Sequence, residues 1–120
     1  MKLCINERKV KIEWDGVYEG RAFVITYTDL GFYCAYVDVT GTSFADKNYE
    51  EVNIVCHGGL TFSGVCSFDG EERQCIGWDY AHEGDYVAGL GVSQGRQYTI
   101  DDIVEDCFAV IDQINAKEAK

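Results

Sequence analysis

His57 is one of only two histidines in the 120-residue chain, and it directly precedes two glycines. Successive glycines usually mark backbone with positive φ, or a place where another group comes close to the main chain. The N–H groups of a Gly58-Gly59 turn can form a concave anion site without any basic side chain. The run therefore predicts a phosphate-binding turn beside a histidine. The alternative is a glycine-rich hairpin with a hydrogen-bonded histidine.

The second histidine, His82, has Asp79 three residues before it and Asp85 three residues after it. A carboxylate bonded to one imidazole nitrogen fixes the tautomer and raises the pKa of the other nitrogen. If His57 and His82 converge, one could take a proton from a nucleophile while the other protonates a leaving oxygen. We therefore predict His57, His82 and Asp79 as the catalytic group of a metal-free phosphodiester cleavage. The alternatives are a divalent-cation site built from the histidine and the two aspartates, or turn residues around a surface histidine.

Aromatic residues lie close to both histidine motifs: Phe62 follows the first, and Trp78, Tyr80 and Tyr86 surround the second. Aromatic rings stack on nucleic-acid bases, so a nucleotide would find a π surface next to the glycine turn. Core packing is the commoner use of any single aromatic residue. No motif in the chain calls for a cofactor, and no CxxC pair gives the usual spacing of a structural zinc site.

The elements that must position these residues begin with an antiparallel meander. Residues 10–14 alternate apolar and polar side chains and lead into Asp15-Gly16, which predicts a strand followed by a turn. Residues 23–27 and 32–37 are rich in β-branched and aromatic side chains, and the short polar link between them predicts a second hairpin. These three strands should form one sheet.

Residues 40–53 are polar and lack a sustained period, which predicts a long loop with one helical turn. Residues 52–56 and 74–78 predict two further strands, each leading into one of the histidine motifs. From about Thr99 to about Asn115, apolar residues recur every three or four positions, as in an amphipathic helix. We therefore predict a single-domain α+β fold: a mostly antiparallel sheet of about five strands, with the C-terminal helix packed on one face.

The charge balance limits the possible partners. There are 21 acidic and 10 basic residues, a net charge of −11, and the basic residues concentrate near the two termini. General nucleic-acid binding is therefore not expected, because affinity for a phosphate backbone depends on Lys and Arg. An acidic surface suits a basic protein face, although the charge can also serve solubility alone.

No apolar run has the length of a signal peptide or of a membrane span, so we expect a cytoplasmic protein with no membrane association. Six cysteines would suggest disulfides in a secreted protein, but the cytosol keeps thiols reduced. Free thiols are therefore predicted. The sequence leaves the oligomeric state open.

The segments LGFYCAYVDV, HGGLTFSG and GWDYAHEGD, which lie within about residues 30–85, resemble a widespread family of small bacteriophage proteins. The resemblance implies a phage setting, and hence the cytoplasm of a host bacterium, but no particular activity. At Tyr80 this family often has cysteine, so a cysteine-dependent role is not carried over. By matching position, the resemblance points to a set of site residues: His57, Gly58, Gly59, Thr61, Asp79, His82, Gly84 and Asp85.

Two functions follow from these observations. The first is a phage accessory protein that counters host defence by binding a small nucleotide immune signal, with or without hydrolysing it. Its ligand-binding residues would be Gly58, Gly59, Thr61, Trp78, Tyr80 and Asp85. The second is an acidic, non-enzymatic inhibitor of a host defence protein, in the manner of an anti-CRISPR protein. The first function requires the two histidines in one concave site, whereas the second requires a continuous carboxylate face.

Overall fold

The computed structural model describes residues 2–5, 8–81 and 98–119. Three of the predicted site residues, His82, Gly84 and Asp85, lie outside these ranges. The described residues form seven strands and one α-helix: β1 (Leu3–Ile5), β2 (Arg8–Val10), β3 (Ile12–Tyr18), β4 (Arg21–Tyr27), β5 (Tyr33–Asp38), β6 (Phe62–Phe68), β7 (Glu71–Asp79) and α1 (Ile100–Glu118).

All seven strands belong to one antiparallel sheet with the order β2-β1-β6-β7-β5-β4-β3. The strands at its two ends, β2 and β3, are separated in the chain by Lys11 alone, so the sheet must curl. Apolar side chains are buried on both faces: one cluster lies under α1, and a second lies on the opposite face. The predicted α+β class is confirmed, but the predicted number of about five strands was too low.

The turn predicted at Asp15-Gly16 was wrong, because β3 continues through both residues. The chain reverses at Glu19 and Gly20, whose φ values are 48° and 82°. Gly16 has a packing role instead: a Cβ atom there would lie 2.8 Å from Cζ of Phe23 on the neighbouring strand. The hairpin predicted between β4 and β5 is confirmed, and its turn is closed by a hydrogen bond from the N–H of Gly31 to the carbonyl of Thr28 (3.0 Å).

Residues 52–56 do not form the predicted strand. They run as irregular backbone along α1, where Val52 and Ile54 are buried and Val55 is 77% exposed. Before them, the predicted helical turn is present as a 3₁₀ turn at Tyr49–Glu51, capped by Asn48. The strand predicted at residues 74–78 is confirmed within β7.

The C-terminal helix is confirmed and extends to Glu118. Thr99 caps it: its hydroxyl accepts a hydrogen bond from the N–H of Asp102, whose carboxylate accepts from the N–H of Thr99. The buried stripe consists of Ile103, Cys107, Val110, Ile111 and Ile114. Phe108 belongs to the apolar repeat of the helix sequence, but it lies at the edge of the buried stripe and is half-buried.

The aromatic ring of Phe108 is stacked on Tyr18, with a centroid distance of 4.1 Å, and meets Phe23 edge-on at 5.8 Å. All six cysteines are free. Of the helices in the described ranges, none is long and apolar enough to cross a membrane.

Candidate functional site

His57 is held in place by the helix and by the turn that follows it. The side chain of Gln113 on α1 holds the backbone of Val55, two residues before His57. It accepts from the N–H of Val55 (2.8 Å) and donates to the carbonyl of Val55 (2.7 Å). After His57, Gly58 and Gly59 have φ values of 68° and 83°, and the N–H of Gly59 donates to the carbonyl of Cys56 (3.1 Å). The glycines therefore turn the chain, and one N–H group of the predicted anion site is already bonded within that turn.

The imidazole of His57 belongs to a cluster of three rings. It is stacked on Tyr80 with a centroid distance of 4.5 Å and an interplanar angle of 15°. It also meets Tyr98, the residue just before the helix cap, at 4.7 Å and 66°. Tyr80 and Tyr98 lie 5.0 Å apart. Residues from three separate parts of the chain thus meet beside the first turns of α1.

A buried hydrogen-bond chain anchors this cluster to the helix. The indole Nε1 of Trp78 donates to the hydroxyl of Tyr80 (3.0 Å), which in turn donates to Oδ2 of Asp106 (2.5 Å). Burial, together with the hydrogen bond to Asp106, raises the pKa of Tyr80 far above its usual value. Trp78 is only 1% exposed, so its ring forms part of the core and has no free face for a ligand.

Asp79 lies on the other face of the sheet. Along β7, Ile76 and Trp78 belong to the cluster under the helix, whereas Cys75 belongs to the cluster on the opposite face. Because side chains alternate along a strand, Asp79 is on the same face as Cys75. Its Oδ2 accepts from the hydroxyl of Thr61 (3.0 Å), and its Oδ1 accepts from the N–H of Ala81 (3.1 Å). Both oxygens therefore stabilise the local backbone and loop.

The predicted site residues are thus only partly brought together. Of the proposed catalytic group, His57 lies on the helix side of the sheet and Asp79 on the opposite side, while His82 lies outside the described residues. Among the proposed ligand contacts, Gly58, Gly59 and Tyr80 lie next to His57. Thr61 contacts Asp79 on the opposite face.

A cavity of about 270 Å³ opens beside His57, and carboxylates dominate its lining: His57, Tyr98, Asp102, Glu105 and Asp106. Asp102 caps the helix and Asp106 accepts the tyrosine hydroxyl, whereas Glu105 is exposed on the outer side of α1. Among the residues that the structure describes, neither lysine nor arginine lines this cavity. An anionic cavity with aromatic rings suits a cationic group, because carboxylates pair with ammonium or guanidinium and rings attract cations through their π faces.

The carboxylate lining was missed by the sequence analysis, which predicted no helix residue for the site. The signal was present in their spacing. Asp102 and Asp106 are four residues apart, as are Asp101 and Glu105, and residues at that spacing share one side of a helix. What the sequence could not reveal is that the first of these pairs faces His57.

Metal binding finds no support in the described ranges, where no group of three or more His, Cys, Asp or Glu side chains is placed to hold an ion. The thiol nearest to the site, Cys56, is not activated: burial, with a further contribution from the charge of Asp106, raises its pKa to about 11. A neutral thiol is a poor nucleophile and a poor metal ligand.

Comparisons with protein-family models, with curated proteins and with solved structures each return no match. The resemblance to small phage proteins therefore stays a prediction from the sequence.

Proposed function

We propose that this chain is a non-enzymatic binding protein whose acidic face around His57 engages a basic group of a partner protein. The observation that carries the proposal is the lining of the His57 cavity, where Asp102, Glu105 and Asp106 of α1 accompany the rings of His57 and Tyr98. In the phage setting that the sequence resemblance implies, the partner is a host defence protein with a basic surface, such as a nucleic-acid channel.

The acidic surface continues along α1 beyond the cavity. The helix contains six carboxylates and one lysine. Asp101, Glu105 and Asp112 are exposed, and 11 residues separate the first from the last of these, which is about 16 Å at 1.5 Å per residue. Complementary charge on a partner would accelerate the encounter and select against acidic competitors.

A nucleotide at the same cavity is less favourable for an electrostatic reason. A phosphate oxygen placed 4 Å from a carboxylate is repelled by roughly 4 kcal/mol at an effective dielectric constant of 20. Three carboxylates line the cavity, and the Gly59 N–H that was expected to offset such repulsion is bonded to Cys56. The second acid–base group predicted for hydrolysis, His82, lies outside the described residues, and Asp79 lies on the opposite face of the sheet from His57.

The proposal is tested by NMR titration of isotope-labelled protein with two kinds of probe. An oligo-arginine peptide should shift the resonances of His57, Tyr98 and Glu105, and added salt should weaken that binding because charged surface contacts are screened. A matched oligo-glutamate peptide should produce no shifts. The second probe is a panel of cyclic and linear nucleotides, and it should also leave these resonances unchanged.

Either of two results would contradict the proposal. One is saturable nucleotide binding that shifts His57; the other is an oligo-arginine titration that leaves all three residues unaffected. If a nucleotide does bind, the reaction mixture should be analysed for products, because turnover would restore the hydrolase hypothesis.

A further inference from the structure

A second cavity of about 320 Å³ is present among β3, β4 and β5. Its lining is mainly aromatic and contains one ion pair; it includes Tyr27, Phe32, Tyr33, Tyr80, Tyr98, Lys11 and Glu13. It shares Tyr98 with the acidic cavity beside His57, but its charged residues come from the other end of the chain. This volume is at the lower end of the range for small-molecule sites in proteins.

The walls of this cavity are fixed by backbone hydrogen bonds. In the β4–β5 hairpin, the N–H of Thr28 donates to the carbonyl of Phe32 (2.9 Å). Just after β7, the N–H of Tyr80 donates to the carbonyl of Tyr33 on β5 (2.9 Å). The rings of Tyr27 and Tyr33 pack edge to face at 4.8 Å. Because little of this wall has to be ordered on binding, a flat ring could be held at a small entropic cost.

The polar part of the cavity carries both signs of charge. Nζ of Lys11 lies 3.2 Å from Oε1 of Glu13, and the two side chains are 77% and 31% exposed. An exposed pair of this kind contributes little to stability, so it can open to receive a ligand. Burial, with the nearby charge of Glu13, raises the pKa of Tyr33, whose hydroxyl therefore stays a neutral hydrogen-bonding group.

We infer that this cavity binds a small planar aromatic molecule that carries both an ammonium and a carboxylate group, as an aromatic amino acid does. The ring would lie against Tyr27 and Tyr33, the carboxylate would pair with Lys11, and the ammonium would pair with Glu13. A purely anionic ligand would be repelled by Glu13 and a purely cationic one by Lys11, so the zwitterion matches the charges best. The inference is independent of the partner-binding proposal, which depends on the carboxylates of α1.

The test is isothermal titration calorimetry with L-tryptophan, compared with two analogues that each lack one charge. Tryptamine has no carboxylate and indole-3-propionate has no ammonium. Each analogue should bind roughly two- to fivefold more weakly, because it lacks one charge contact to an exposed side chain. Adenosine, which is planar but carries no zwitterion, should likewise bind more weakly than tryptophan.

Two exposed-side-chain variants assign the binding to this cavity. Lys11→Met and Glu13→Gln should each weaken tryptophan binding roughly two- to fivefold. The matched controls are Lys9→Met and Glu72→Gln, which alter exposed residues outside the cavity and should leave the affinity unchanged. The inference is overturned if tryptophan does not bind, if either analogue or adenosine binds as tightly, or if the cavity variants behave like their controls.

Discussion

Replacing Tyr80 by phenylalanine removes a hydroxyl that makes two hydrogen bonds at the base of the candidate site. The hydroxyl accepts from Nε1 of Trp78 (3.0 Å) and donates to Oδ2 of Asp106 (2.5 Å). The ring itself would stay, so the stacking with His57 can be kept. The variant therefore isolates the hydroxyl that links β7 to α1.

The expected loss of stability follows from the burial of the two partners. A hydrogen bond to a charged group contributes roughly 1.5–3 kcal/mol, and leaving a buried donor without an acceptor costs about 1–3 kcal/mol. Trp78 is 1% exposed, so water cannot easily replace the lost acceptor. Because Asp106 is only partly buried and can be hydrated, the sum should fall near the lower end of the combined range of roughly 2.5–6 kcal/mol, at about 3 kcal/mol.

Urea unfolding of the wild type, Tyr80→Phe and Tyr18→Phe measures this difference. Tyr18 is a matched control: its hydroxyl also donates to a carboxylate of α1, that of Asp112 (3.0 Å), but at an exposed position. Tyr18→Phe should therefore shift the midpoint much less than Tyr80→Phe. Equal shifts for the two variants, or no shift for Tyr80→Phe, would refute the claim that the hydrogen-bond chain from Trp78 through Tyr80 to Asp106 stabilises the site.

Three further predictions concern the packing of the helix, the hydrogen bonds of Gln113 and the thiols. Ile111 has no exposed area, so Ile111→Ala should lower the free energy of unfolding by about 3–4 kcal/mol in a denaturant melt. Phe108 is half-buried, so Phe108→Ala should lower it by less. The reverse order would mean that the helix packs differently. Gln113→Ala removes the two hydrogen bonds to the backbone of Val55, so it should lower the free energy of unfolding by about 1–2 kcal/mol and broaden the NMR resonances of residues 52–56. Unchanged spectra would contradict a role for Gln113 in holding that segment. Burial raises the pKa of the Cys56 thiol to about 11 and that of the Cys107 thiol to about 12, from an ordinary 9.0. Because the unfolded chain loses these protons first, the free energy of unfolding should be level up to about pH 9 and fall between pH 9 and 12. A stability that rises over that interval would contradict the assignment.

The elements that were predicted well depend on local signals. The helix shows a clear period of three to four residues and a cap at Thr99, and both act within one segment of chain. The hairpin that joins β4 and β5 has apolar runs on either side of a polar link that contains Gly31. In both cases, the residues that decide the structure are close together in sequence.

The errors concern residues whose roles are set by distant partners. Residues 52–56 alternate in burial, as a strand would, but their partner is the side chain of Gln113, 58 positions after Val55. Gly16 was interpreted as a turn residue because the sequence does not show where the ring of Phe23 lies. That ring leaves no room for a Cβ atom at position 16. The strand β6 was missed because Ser63 and Gly64 are typical of loops.

The candidate site was predicted in part for the same reason. His57 and its glycines were recognised from their types, and Tyr80 does lie against them. The two faces of β7 could not be assigned before its register was known, so Asp79 was placed with His57 although it lies on the opposite face. The carboxylates beside His57 come from a helix some 45 to 50 positions later, and their orientation depends on packing.

The most direct test of the central claim is the affinity for an oligo-arginine peptide, measured by fluorescence anisotropy on Glu105→Lys and on the control Glu72→Lys. Both residues are exposed, and both changes alter the net charge equally. Glu105 lines the His57 cavity and Glu72 does not, and Asp106 is left intact because it holds Tyr80. The account predicts a loss of about tenfold or more for Glu105→Lys, and little change for Glu72→Lys. Equal losses would show that binding responds only to net charge, and that result would contradict the proposed site.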